Sequence, residues 1–451
     1  MSSNNLKKHF FWKYAFIKDG LFSERGSFSY DGLMSAIRLF YAFMLYFVFL
    51  LFTKDLQKLA SNYPNSPIWP IKLLHVFIRH EYVPYGIGLG LFLSTIIAVL
   101  FIEKRTTRIF VFLFYFLFVA YNSSYGKINH NYHHLVYLLF GLIFLPSKMN
   151  NNHLLKTKVV FSSIQLFILF TYSISGFWKL NKGLAQFFKD EESIFSVNSL
   201  SNHIAKRIME TNQDTLFGEW LINQPHLGFL LLLSAVYVEL CSVFILFRPS
   251  IHRFWGISLI LMHFNIYIFM GIGFTSPCIV LAFLFLTSPF ADKKFNLRKT
   301  LTSLPLFGSI ISSFLFFIQR KRKNIILFYD GECGVCNYFV QFLLKNKVRN
   351  ISFAPIGGEH YQKTFSDETS YQEIDTIIIH DVNETKIRSQ AIIRAISLSQ
   401  SSLRFLAYFL ALVPSEIADV LYIGFAKIRK RIIKNNSCNL LTHEQRQLFL
   451  N

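Results

Sequence analysis

Cys333 and Cys336 lie in the run Tyr329-Asp330-Gly331-Glu332-Cys333-Gly334-Val335-Cys336, directly after the apolar stretch that begins at Asn324. Two thiols at this spacing suit dithiol chemistry. At the start of a helix the first thiolate is stabilised by the helix's positive end and attacks a disulfide, and the second thiol resolves the mixed disulfide. Residues 324–329 read as a buried strand, 330–336 as a turn, and 337–345 as the helix that this chemistry needs. Further strands are expected at 351–354 and 376–380. Half of a zinc site is the competing use for such a pair. It would want two further ligands, and no second Cys-x-x-Cys or close His pair accompanies it here, so no metal is expected.

A second group of reactive residue types is embedded in apolar sequence. His130, His133 and His134 open the segment NHNYHHLVYLLFGLIFLP, Lys179 closes TYSISGFWKL, His263 lies midway in LILMHFNIYIFMGIGF, and Glu239 sits in VYVELCSVF. Ionisable groups at membrane depth are costly, which makes each a functional candidate. Each also has an ordinary explanation: a lysine near a helix end snorkels to the interface, and an intramembrane histidine bonds to a neighbouring helix. Burial favours the neutral amine of a lysine, which can then serve as a base. Lys179, His263 and at least one of the three histidines are expected to converge on an outward-facing cavity, which leaves both uses open. Glu239 is expected toward the cytoplasmic half, as a counter-ion.

The elements that must hold these residues follow from composition. The chain has 451 residues, 52% of them hydrophobic, and only 16% charged. Its formal charge of +20 sits in short basic runs beside apolar segments, the pattern of the positive-inside rule rather than of nucleic-acid binding. Against the roughly 20 residues that a spanning helix needs, eight spans are expected, at 33–53, 83–103, 108–125, 133–147, 158–180, 226–247, 254–272 and 276–290. Basic loops then fall at alternate crossings, which places them in the cytoplasm. The piece 301–318 would put Gln319-Arg-Lys-Arg-Lys323 outside if it crossed, so it is expected to be re-entrant or interfacial, with the following domain cytoplasmic. No cleaved signal peptide is expected. Cys241 and Cys278 lie in apolar stretches and read as small hydrophobes. The strongly apolar segment 402–414 is too short to span, so it is expected to pack on its domain or on the membrane surface.

The expected fold is an α-helical polytopic membrane bundle of about eight spans followed by an α/β thioredoxin-like domain. Its parts are an N-terminal cytoplasmic segment (1–30), the transmembrane domain (31–295), a linker (296–323), the redox domain (324–435) and a tail (436–451). Gly176-Phe177-Trp178-Lys179-Leu180, with Asn129-His130, His134-Leu135, Met262-His263 and Ser288-Pro289, resembles the HTTM domain, the membrane core of vitamin K-dependent gamma-carboxylases, over about 25–295. That resemblance implies a site near the outer face in which Lys179 deprotonates a reduced quinone, assisted by one of His130, His133 and His134, with His263 matching another family histidine. No large extracytoplasmic domain follows the membrane block, so quinone-linked chemistry is implied rather than carboxylation of protein glutamates. The run YDGECGVC, then SQAIIRAI at 389–396 and LVPSEIADVLYIGFAKIRKR at 412–431, resembles the DCC family of thiol-disulfide oxidoreductases. It implies Cys333 as nucleophile, Cys336 as resolving thiol, and Asp330 as proton acceptor or helix cap.

The sequence therefore points to a multi-pass integral membrane protein with a thiol-disulfide function. Its expected partners are the lipid bilayer, a thiol or disulfide protein and a membrane quinone, the only cofactor implied, and none is nucleic acid. Two alternatives stay open: the membrane block is a non-catalytic anchor for the DCC-type domain, or it is a transporter whose pathway is the polar cluster.

Overall fold

The computed structural model describes residues 30–54, 64–126, 128, 130–147, 151–189, 193–212, 215–292, 295–308, 310–311, 325–331, 333–346, 348, 351–365, 376–381, 384–399, 403–413, 415–432 and 447–450. The chain divides into two compact units, with the boundary between Lys294 and Phe295. The expectations for the N-terminal segment, for Asn129 and for the run 319–323 fall outside the described residues. Of the piece 301–318, the described part opens on a helical turn ending at Thr302.

The first unit is helical. Among the described residues, six helices are long and apolar enough to cross a bilayer, at Tyr30–Leu50, His80–Leu100, Arg105–Ser123, Leu154–Phe187, Pro225–Phe247 and Pro249–Met270. We label the helices used below α1 (Tyr30–Lys54), α2 (Trp69–Phe77), α3 (Val83–Leu100), α4 (Arg105–Ser123), α5 (His133–Leu142) and α6 (Asn151–Phe188). They continue with α7 (Ser199–Thr211), α8 (Gly218–Ile222), α9 (Pro225–Cys241), α10 (His252–Met270) and α11 (Thr275–Leu281), which runs into a π turn at Ala282–Leu286. Two of the expected spans are short: α5 has 10 residues and α11 has 7, against a hydrocarbon core of about 30 Å and a rise of about 1.5 Å per residue.

The expected span ending at residue 180 is instead the middle of a single helix of 38 residues. Apolarity fades after Leu180, but Asn181 to Phe188 contains no proline and one glycine, so nothing in the backbone stops the helix. Within the polar stretch that follows, α7 and α8 pack back on α10: Arg207 Nε donates to the carbonyl of Met270 (2.8 Å) and the Phe217 amide to that of Ile268 (3.3 Å). Helices α6 and α9 cross in backbone contact because residue 176 is glycine; a methyl group there would run into the main chain at Glu239 and Leu240. Ser173 Oγ ties the same crossing, donating to the Leu240 carbonyl at 3.1 Å and accepting from the Val243 amide at 2.8 Å.

The second unit contains a four-stranded sheet of order β2-β1-β3-β4, with β1 Ile325–Tyr329, β2 Ile351–Pro355, β3 Ile378–Asp381 and β4 Glu384–Ile387. β1 and β2 are parallel; β3 is antiparallel to both β1 and β4. Helix α12 (Leu297–Thr302) precedes the sheet, and α13 (Gly334–Lys345) makes the crossover between the parallel strands. The others are α14 (Glu359–Phe365), α15 (Arg388–Ser397), α16 (Leu403–Leu412) and α17 (Ser415–Ile432). One face of the sheet packs Leu327, Phe353 and Ile379 against Val340 and Leu343 of α13; the other packs Phe328 and Ile378 against Tyr361 and Phe365 of α14. Near the C-terminus, the Phe353 amide donates to Leu448 and that of Leu450 to Phe353, which covers the open edge of β2. The third strand begins two residues later than expected, and β4 was not foreseen.

Candidate functional site

The dithiol motif is built by a strand that ends and a helix that begins. β1 delivers Asp330, whose carbonyl accepts from the Cys333 amide (3.2 Å), and the chain enters α13 with Cys333 as N-cap in extended geometry. The N-cap carbonyl starts the helix by accepting from the Asn337 amide (3.0 Å), while Asn337 Nδ2 reaches back to the Gly331 carbonyl (2.9 Å) and staples the turn. Cys333 thus stands where the unpaired amides and the dipole of α13 favour negative charge. Asp330 lies three residues upstream of the cap position, which Cys333 itself occupies. Cys336, one turn into the helix, faces the same core as Cys333. Neither thiol is in a disulfide, and both are buried among Tyr329, Val340 and Leu343. Burial also pushes the Tyr329 phenol, beside the motif, above its ordinary range.

In the helical unit, α5, α6, α9, α10 and α11 bring a second set of groups together. Lys179 Nζ lies 2.6 Å from each carboxylate oxygen of Glu239. The carboxylate is nearly fully buried (6% exposed), whereas the lysine side chain is 42% exposed. Ser175 Oγ approaches the same carboxylate at 3.4 Å. One turn back on α6, the Tyr172 hydroxyl bonds to His263 Nε2 at 2.7 Å, and the Tyr172 ring packs on His134 with centroids 5.4 Å apart. Lys179 and His134 both lie close enough to His263 to act on it electrostatically, and Glu239 and Cys278 act likewise on Tyr172. The Nδ1 atoms of His134 and His263 are buried and have no hydrogen-bond partner among the described residues.

Of the three clustered histidines, only His134 enters this group. His130 instead meets His133, Nδ1 to Nδ1 at 3.2 Å, on an exposed edge. Lys179 is not at a helix end, since α6 continues nine residues beyond it, and its amine is held by a carboxylate rather than by headgroups. Glu239, expected at a different depth from Lys179, is its direct partner because α6 and α9 cross at Gly176. Tyr172 was missed. The available signal was its spacing, seven residues before Lys179 and so on the same helix face two turns away.

Residues 327–435 match the family model described as DCC1-like thiol-disulfide oxidoreductase. A chloroplastic DCC family protein of Arabidopsis thaliana is 27% identical over 128 residues, which cover 28% of this chain and 73% of the relative. The uncharacterized protein YuxK of Bacillus subtilis (strain 168) is 28% identical over 135 residues, 29% of this chain and 98% of its own length. No solved structure gives a significant match. The C-terminal unit therefore carries a DCC-like domain of the thiol-disulfide oxidoreductase class, and among the described residues six helices are long and apolar enough to cross a membrane.

Proposed function

We propose that the protein is a membrane-bound thiol-disulfide oxidoreductase in which Cys333 and Cys336 carry the exchange. The carrying observation is the position of Cys333 at the N-cap of α13, directly after a central strand. The β-α-β unit followed by an antiparallel pair, with the dithiol at the first helix start, supports a thioredoxin-like reading of the domain. Cys333 thiolate attacks one sulfur of a partner disulfide, forming a Cys333–partner bond and releasing the partner's other sulfur as thiolate. Cys336, deprotonated, then attacks Cys333 Sγ; the Cys333–Cys336 disulfide forms and the partner leaves fully reduced. Two electrons pass from the dithiol to the partner, and the reverse sequence oxidises a partner dithiol. Since both thiols are buried, the exchange requires the turn 330–333 to open locally.

The test is trapping. The Cys336→Ser protein should accumulate a mixed disulfide with a model disulfide substrate, whereas Cys333→Ser should not. Trapping by the Cys333→Ser protein instead would reverse the assigned roles, and trapping by neither would remove the exchange reading.

The helical unit we read as an HTTM-type domain of about eight spans, α5 and α11 completing two of them, that handles a membrane quinone. The fit rests on the two orphaned, buried Nδ1 atoms of His134 and His263, which can bond to paired carbonyl or hydroxyl oxygens. When bound, a quinone supplies two-electron redox chemistry at membrane depth. Tyr172 fixes the His263 ring through Nε2, and the Lys179–Glu239 pair accepts or returns a proton as one unit, at Nζ or at the carboxylate. A soluble naphthoquinone should quench the intrinsic fluorescence of the full chain in nanodiscs saturably. The His134→Ala/His263→Ala protein should lose that binding while remaining folded and monodisperse; equal binding by both would leave the helical unit as an anchor. The basic loops support a cytoplasmic DCC-like domain. A topology reporter after Lys323 checks this, an extracytoplasmic signal being the contrary result.

A further inference from the structure

The last two helices of the DCC-like unit turn their largest apolar side chains outward. On α17, Ile417, Val420, Leu421, Gly424, Phe425 and Ile428 are all exposed. Their spacing of i, i+3, i+4, i+7, i+8 and i+11 is the period of one helix face, the one that normally lies on a core. Two residues turned inward make polar contacts. Asp419 accepts from the amide and hydroxyl of Ser389, at the start of α15. The Tyr422 hydroxyl accepts from Thr376 Oγ1 (2.9 Å) and from the Ile377 amide (3.2 Å). On α16 the small residues Ala407 and Ala411 are buried, whereas Phe405 and Phe409 face outward. Phe409 is 70% and Leu421 67% exposed, so each of the two consecutive helices turns bulky apolar side chains outward.

Water does not retain such a face without an occupant. Three features of the chain identify it. Six membrane-spanning candidates stand among the described residues, and 38 residues lie between the helical turn that ends at Leu286 and the first strand of the domain at Ile325. A tether of that length confines the domain to within a few tens of ångströms of a bilayer. Directly along α17 the sequence turns strongly basic, with Lys427, Arg429, Lys430 and Arg431, then Lys434. An apolar helical face ending in a cationic cluster is the composition of an interfacial membrane anchor, in which side chains enter the acyl boundary and basic groups meet anionic headgroups.

We propose that α16 and α17 dock the DCC-like domain on the surface of an anionic bilayer, through Phe405 and Phe409 of one helix and Leu421, Phe425 and Ile428 of the other. None of these five residues belongs to the core that buries Cys333 and Cys336, so the proposal stands or falls independently of the redox reading. It makes the domain a peripheral reader of the lipid surface as well as a tethered one.

The test uses the full chain in vesicles of phosphatidylcholine, alone or with about a third phosphatidylglycerol, each doped with a photoactivatable phosphatidylcholine. After illumination, lipid adducts are mapped by peptide mass spectrometry. Adducts should appear on peptides spanning 403–428, rise several-fold with phosphatidylglycerol, and fall to background in the Phe409→Asp/Leu421→Asp/Phe425→Asp protein. The peptide bearing Tyr338, an exposed aromatic on α13, should stay unlabelled throughout. The triple variant alters only outward-facing side chains, so its Cys336→Ser trapping yield should be unchanged. The proposal is overturned if 403–428 carries no lipid adducts in either vesicle. It is equally overturned if those peptides instead crosslink between copies of the chain in a concentration-dependent way.

Discussion

Removing Lys179 should cost far more stability than removing the charge of Glu239, and removing both should cost less than removing Lys179 alone. The asymmetry comes from exposure. In Lys179→Met the Glu239 carboxylate, 6% exposed, is left buried without its cation, a situation that costs about 3–5 kcal/mol when a buried pair loses one partner. In Glu239→Gln the ammonium is 42% exposed and can turn toward water, so the loss is nearer that of a partly solvated pair, about 1 kcal/mol. With roughly 2–4 °C per kcal/mol for a body of this size, the melting midpoint in detergent should fall by roughly 6–20 °C for Lys179→Met and by only a few degrees for Glu239→Gln. The double variant should recover about half of the larger loss, giving a coupling of about 3 kcal/mol. Naphthoquinone binding, if it uses the pair, should stay impaired in the double variant despite its recovered stability. Additive midpoint losses, or equal losses for the two single variants, would show that the 2.6 Å contacts do not govern this helix crossing.

Gly176→Leu should sharply reduce the yield of folded, monodisperse protein by fluorescence-detected size exclusion, because α6 and α9 meet backbone to backbone there and overpacking costs about 1–3 kcal/mol even for smaller intrusions. Tyr172→Phe should lower the midpoint by only a few degrees, as for one net hydrogen bond of about 1 kcal/mol, yet weaken naphthoquinone binding measurably by freeing the His263 ring. Asp419→Ala should destabilise the DCC-like domain by about 1 kcal/mol, read from its urea midpoint, because it leaves the Ser389 amide and hydroxyl at the start of α15 without their acceptor.

The redox half of the molecule was legible in the sequence to within a few residues because its signals are local. A strand of Ile, Leu and Phe, a glycine-bearing turn and a dithiol at the helix start fix β1, the turn and α13 whatever surrounds them. β4 was not legible, since Glu384 to Ile387 has no apolar pattern and exists by pairing with β3. In the helical half, hydropathy finds where a chain is apolar but not where a helix stops. Lys179 was therefore read as a terminal residue although its helix runs on to Phe188. Depth assigned from an endpoint then separated Lys179 from Glu239, whereas Gly176, visible in the sequence only as a small residue, lets the two helices close and pairs them.

The same distinction explains why the apolar segment at 402–414 was noticed while its larger neighbour was not. Residues 403–413 are almost uniformly apolar, so composition alone marks them. Helix α17 mixes Asp419, Tyr422 and apolar residues in the proportions of any amphipathic helix, and the ordinary inference sends the apolar side to the core. Which side is inward depends on two hydrogen-bonding partners remote in sequence. Ser389 draws in Asp419, and the strand entry at Thr376 and Ile377 draws in Tyr422. Once both polar groups are satisfied inside, the apolar face can only point out. For a protein with six membrane-spanning candidates, a bilayer is the apolar phase within reach of that face.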